Sequence, residues 1–317
     1  MMRGLLAAHA DWSVDPRKRF VCVARRGTRG WMVAAPVAVG PVGDFLARLQ
    51  IAAAGAPVAL GVDFPVGLPR AYAARHLEGD FPAFLHGLVD RPEFFRVCAE
   101  LAEVGPARPF YPARGIKGMT RAAHAAAMGF ADPALLSRLC DRATAIRPAG
   151  APLFWTLGAN QVGKAAIAAW RDMLVPALVA GAPVDLWSFA GPLRGLLAPG
   201  RMALAETYPA EALRHLGLRM AGSKRRQADR VALAGALRAS MAALGARAHR
   251  ALDAALDNGF GADAAGEDRF DSLLGALCVI NVLEGHRPDT TPDDPWLTLW
   301  EGWVLGQTDL PASSQNG

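Results

Sequence analysis

The chain has 317 residues, 52% of them hydrophobic and 20% charged. That is the composition of an ordinary folded protein, long enough to bury about 75% of its unfolded surface without disulfide or metal staples. No apolar run reaches the ~20 residues needed to span a bilayer, and a net charge of +5 is too modest to identify a polyanionic partner by itself.

From the start, the segment 4–10 (GLLAAHA) is small and apolar and leads to Asp11. It is expected to be a strand, and Asp11 arrives too early for a secretory apolar core to develop. The polar turn Asp15-Pro16-Arg17-Lys18-Arg19 follows. "FVCVA" (Phe20–Ala24) is a second strand, "RRGTRG" a turn and "WMVAAPVAV" (Trp31–Val39) a third, which together read as an antiparallel meander. Residues 43–54 are expected to form a helix with Phe45, Leu46, Leu49 and Ile51 on its apolar face. "PVALGVDFP" (Pro57–Pro65) is a short buried strand, parallel by its unbroken apolar run, with Asp63 at its carboxyl end.

Residues 66–200 read as a mainly helical insertion broken by Pro and Gly. "RMALAETYP" (Arg201–Pro209) is another buried strand, ending in Glu206, with Pro209 in the first turn of the next helix. Ser223 is expected to cap a long helix whose first turns carry Lys224, Arg225, Arg226 and Arg230. "NGFGADAAG" is a loop, and a last helix runs from near Glu267 to Glu284. Residues 287–317 read as an extension whose last residues are disordered. Cys22, Cys98, Cys140 and Cys278 lack the paired spacing of a zinc site. They are expected to be buried reduced thiols in a cytoplasmic protein.

Three acids thus fall at strand ends: Asp11, Asp63 and Glu206. Asp268 and Asp271, three apart at the start of the last helix, share one face. Gly275, one turn on, permits that helix to approach the sheet closely. Carboxyl ends of strands are where open α/β sheets bind ligands. Converging carboxylates repel one another, and a hard divalent cation relieves that repulsion. Two such ions about 4 Å apart clamp the attacking and leaving oxygens of a phosphodiester displacement.

The stretches "HADWSV", "GVDFPVGLP", "AETYPAEAL" and "EDRFDSLLGAL" resemble the landmarks of the domain-of-unknown-function family 429, described as predicted RNase H-like nucleases. The resemblance covers both ends of the chain and is weaker in the middle. It implies one RNase H-like domain: a mixed five-stranded sheet, three strands in an antiparallel meander plus parallel ones, flanked by helices and carrying a large helical insertion. It also implies that Asp11, Asp63 and the Asp268/Asp271 pair hold magnesium or manganese. Glu206 matches the family's own fifth-strand motif. Ordinary RNases H place a Glu on the helix after the third strand, where this chain has only Asp44, so Glu206 is the candidate for the remaining ligand.

"GANQVGKA" (158–165) meets the Gly and Lys requirements of a nucleotide-hydrolase phosphate loop. It has Ala165 where a Ser or Thr would hold magnesium, and no later strand supplies the partner Asp. With an expected strand before it (Leu153–Leu157) and a helix after it, the loop still suits a phosphate, through Lys164 and the helix N-terminus. Alternatively, Asn160 simply caps that helix. "YPARGIKGMTR" sets Arg114 and Lys117 beside an aromatic, a composition that suits the backbone of a single nucleic-acid strand. Lys224 and Arg225 are a second basic pair of this kind. For both stretches a solvated surface is the competing reading. His9 lies two residues before Asp11 and faces the same side of its strand, either as a proton-transfer aid or as a core histidine.

The expectation is therefore a magnesium- or manganese-dependent phosphodiester hydrolase acting on nucleic acid, with Asp11, Asp63, Glu206, Asp268 and Asp271 as its ligands. Basic groups of the insertion and of the 223–230 segment would position phosphate. The alternatives are a non-catalytic nucleic-acid-binding module and an ATP-using phosphotransferase.

Overall fold

The computed structural model describes residues 4–115, 119–158 and 162–311. In chain order the first elements are strands β1 (Leu6–Asp11), β2 (Phe20–Gly27), β3 (Gly30–Val33) and β4 (Val37–Ala38), helix α1 (Phe45–Ala53) and strand β5 (Val58–Val62). Five short helices follow: α2 (Arg70–His76), α3 (Phe81–His86), α4 (Arg121–Ala127), α5 (Val162–Ala169) and α6 (Val175–Val179). The chain then forms β6 (Val184–Leu186), β7 (Met202–Glu206), α7 (Pro209–His215), α8 (Gln227–Ala243), β8 (Ala246–Ala248), α9 (Arg250–Asp257) and α10 (Gly266–Leu283).

These elements cluster into two units. A sheet unit takes Met1–Asp63, Pro183–Thr290 and Val304–Gln307, and a helical unit takes Phe64–Ala182, Thr291–Trp303 and Thr308–Gly317. The expected insertion, 66–200, ends earlier than its composition suggests, because β6 at 184–186 belongs to the sheet.

The sheet is mixed and has eight strands among the described residues, not five. Its order is β6-β7-β5-β1-β2-β3-β8, with β4 paired to β2. β6, β7, β5 and β1 run parallel, β1-β2-β3 is the antiparallel meander, and β8 joins β3 in parallel. β1, β5 and β7 are buried along their whole length, as strands covered on both faces must be. The expected third strand is broken in two. β3 pairs one end of β2, and after Pro36 the chain pairs the other end through β4, Val37 opposite Val21. Pro36 has no N–H to give a ladder, so one continuous strand is not available.

Three further expectations are corrected. In α1, Ile51 is exposed, and Ala53 joins Phe45, Leu46 and Leu49 on the buried face. Ser223 does not cap α8; the helix begins at Gln227, and Lys224, Arg225 and Arg226 lie in the turn before it. The segment after Arg287 is no mere extension. The Asp289 carbonyl accepts from the Leu193 N–H and the Trp187 indole, and Val304 and Leu305 are buried, with the Leu305 N–H on the Glu206 carbonyl. Residues 312–317, expected to be disordered, lie outside the described residues.

The helical unit is held by aromatic and ionic contacts. Phe94, Phe110, Phe154 and Tyr72 stack edge to face. Arg138, wholly buried, forks onto both oxygens of Asp141 at 2.9 and 3.0 Å. Glu301, equally buried, accepts from the Arg70 guanidinium at 2.8 Å and from the Arg70 and Leu139 N–H groups. All four cysteines are buried, and burial pushes Cys22 and Cys278 up to about 12. No described helix is long and apolar enough to cross a membrane.

Candidate functional site

The sheet unit draws four of the five expected acids together. β1 and β5 are parallel with Ala10 opposite Val62, so the next residues, Asp11 and Asp63, lie side by side on one face. His9 and Gly61, two residues back, face the same way, and α10 packs over them. A methyl group at Gly275 would overlap the His9 ring, and one at Gly61 would lie 2.8 Å from Val279 Cγ2 and 3.1 Å from the ring. His9 is therefore flat between two glycines, and that absence of side chain lets α10 lie close enough to bring Asp268 and Asp271 to the strand ends. Asp271 is buried and Asp268 half-buried.

Glu206 is not brought to this group. It is opposite Val62, so by the alternation of a strand it points to the other face, while Thr207 shares the face of Asp63. Strand-terminal position predicted its depth in the sheet correctly but not its face.

The acids interact. Trp12 donates its backbone N–H to Asp63 Oδ1 at 2.6 Å. Asp11 and Asp63 interact side chain to side chain. Burial first, and then the charges of Asp63, Asp271 and Asp268, push Asp11 well above the usual carboxylate range. Burial also raises Asp63, against the Trp12 N–H and the Asp11 side chain, to about 7. Burial raises Asp271 to about 6 in spite of Lys224, and raises Asp268. Asp271 Oδ1 and Asp268 Oδ2 have no hydrogen-bond partner. No three of these acids bring one oxygen each within 4.8 Å of one another.

Lys224 is the residue whose role the sequence misplaced. Expected to meet a phosphate, with a solvated surface as the competing reading, its ammonium turns to the acids and ion-pairs with Asp271 Oδ2, with Glu267 Oε1 3.6 Å away. Burial pulls the ammonium down, but Asp271, Glu267 and Asp11 outweigh it and raise Lys224 overall. Its neighbour Arg225 is exposed, its Nε 3.7 Å from Glu267. Glu267, one residue before Asp268, was not singled out; a first-turn acid is so common a helix feature that nothing marked it.

His9 is completely buried. Burial pushes it down to about 3, so the ring is neutral; the backbone of Ser272 opposes that shift.

The remaining expected phosphate contacts belong to the helical unit. Arg114 is exposed, and Lys164 is half-buried in the first turn of α5. Lys117 and Asn160 lie outside the described residues. The strand expected at Leu153–Leu157 is a turn with a single bridge, Trp155 to Tyr111. A methyl group at Gly163 would overlap the Leu153 carbonyl, so this glycine serves close packing of α5, a need independent of any phosphate. Comparison with family models, with curated proteins and with solved structures finds no match.

Proposed function

We propose that the protein is a hydrolase of phosphodiester bonds in nucleic acid, of RNase H-like architecture, that works with magnesium or manganese held by Asp11, Asp63 and Asp271, with Asp268 at the rim. The observation that carries this reading is a set of acids from two adjacent parallel strands and one helix, brought to the strand ends by the close seat of α10 on His9 and Gly61. The donor set fits a hard cation: it is all oxygen, and the buried Asp271 Oδ1 has no partner. A bound divalent cation would act as a Lewis acid on a phosphoryl oxygen and lower the pKa of water beside it.

The chain's own groups do the rest. Trp12 holds one oxygen of Asp63 in place, leaving the carboxylate's other oxygen to the site. The neutral His9 ring fills the space behind the acids and brings no charge to compete with a cation. Arg225, exposed and 3.7 Å from Glu267, would meet a phosphate from solvent. In this reading the protein works in the cytoplasm, where both nucleic acid and magnesium are at hand.

The test is incubation of the full chain with single- and double-stranded RNA and DNA, with Mg2+, Mn2+ or a chelator. Cleavage that requires the metal and is lost in Asp63→Asn is expected. A second reading, a nucleic-acid-binding module without turnover, is favoured by one observation, the Lys224 ammonium already paired with Asp271. It would show salt-sensitive binding and no cleavage in any metal.

A further inference from the structure

Lys224 divides the acid cluster unequally. Its ammonium takes Asp271 Oδ2 and faces Glu267. Left over are Asp271 Oδ1, without a partner on a residue only 7% exposed, and the Asp11–Asp63 pair at the ends of β1 and β5. One side of Asp271 is thus served by a cation of the chain itself, and the other side is not served at all.

Lys224 is also held in place. It sits in the turn Ser223–Arg226, whose ends are tied by the Ser223 N–H on Asp229 Oδ2 at 2.8 Å and by the Arg226 N–H on the Ser223 carbonyl at 2.9 Å. Arg230, buried at the start of α8, also grips the Lys224 carbonyl. The lysine is therefore directed inward by its backbone, as a fixed part of the site.

We propose that Lys224 is a built-in cation standing in the second metal position, so that the site takes one divalent ion and not two. This rests on the reading of the cluster as a metal site and narrows it. It makes Lys224 a positioning and charge-balancing residue toward the ion, different in role from the exposed Arg225.

The experiment is the number of Mn2+ ions bound per full chain, by calorimetric titration and by electron paramagnetic resonance, which reports spin–spin coupling when two ions share a bridging ligand. Wild type is expected to bind one uncoupled ion. Lys224→Met is expected to bind two, with coupling, and Lys224→Arg, which keeps the charge, to remain at one. Two coupled ions in wild type, or one ion in a folded Lys224→Met, would overturn the proposal and leave the metal-site reading intact. Should Lys224→Met not fold, the wild-type count decides alone: one supports the proposal, two refutes it. Asp63→Asn separates the two levels, since an ion that still binds there with undiminished affinity is not held by this cluster. No ion in either wild type or Lys224→Met would sink both.

Discussion

At the scale of single residues, Asp63 is the most exposed to test. Asparagine keeps the oxygen that accepts from Trp12 but removes the charge, so the fold should stand while metal-dependent cleavage falls by roughly 100-fold or more, beyond the loss typical of a residue that merely supports a ligand. Initial rates at saturating Mn2+ would measure it. The same carboxyls give a pH signature. Asp63 is raised to about 7 and Asp271 to about 6 from an ordinary 3.8, so each holds its proton more tightly folded than unfolded. Their contribution to stability is whole below that ordinary value and is lost as pH rises through about 6 and about 7. In chelator, the urea midpoint of wild type relative to Asp63→Asn is expected to fall between pH 5 and pH 8. Lys224, raised above 10.5, stays charged throughout and adds nothing to the slope. Mn2+ at pH 8 should restore the midpoint.

At the scale of elements, the close seat of α10 on β1 and β5 decides whether the acids meet. Gly275→Ala drives a methyl group into the His9 ring. It should cost about 1–3 kcal/mol as overpacking, read from denaturant unfolding. His9→Ala in the same chain removes the obstacle, and the pair should lose less than the sum of the single variants. In the helical unit, Arg138→Met strands the buried Asp141 carboxylate and should cost about 3–5 kcal/mol. Much of this level was legible in the sequence. Unbroken apolar runs marked β1, β5 and β7, the three-residue spacing of Asp268 and Asp271 put them on one face, and Gly275 announced the close approach. Glu206 was misassigned because a strand buried on both faces has no alternation to reveal parity. Lys224 was misassigned because a basic run does not show which member turns inward. β6 and β8, three residues each, are too short to carry any period.

At the scale of the whole molecule, the sheet unit is assembled from three stretches of chain, the last only Val304–Gln307. That last stretch is not expendable. Ending the chain at Thr290 would remove the buried Val304 and Leu305 and the N–H that Leu305 gives to the Glu206 carbonyl. The shortened protein is expected to lose its cooperative melt, followed by circular dichroism, and not merely to shift it. Discontinuity has a further consequence, in time. β5 and β7 are neighbours, yet the ribosome makes α2 to α6 between them, and α10 later still. Asp11 and Asp63 precede the stretch 64–182 along the chain, and Asp268 and Asp271 follow it, so the four acids cannot meet until α10 has been made and has packed on β1 and β5.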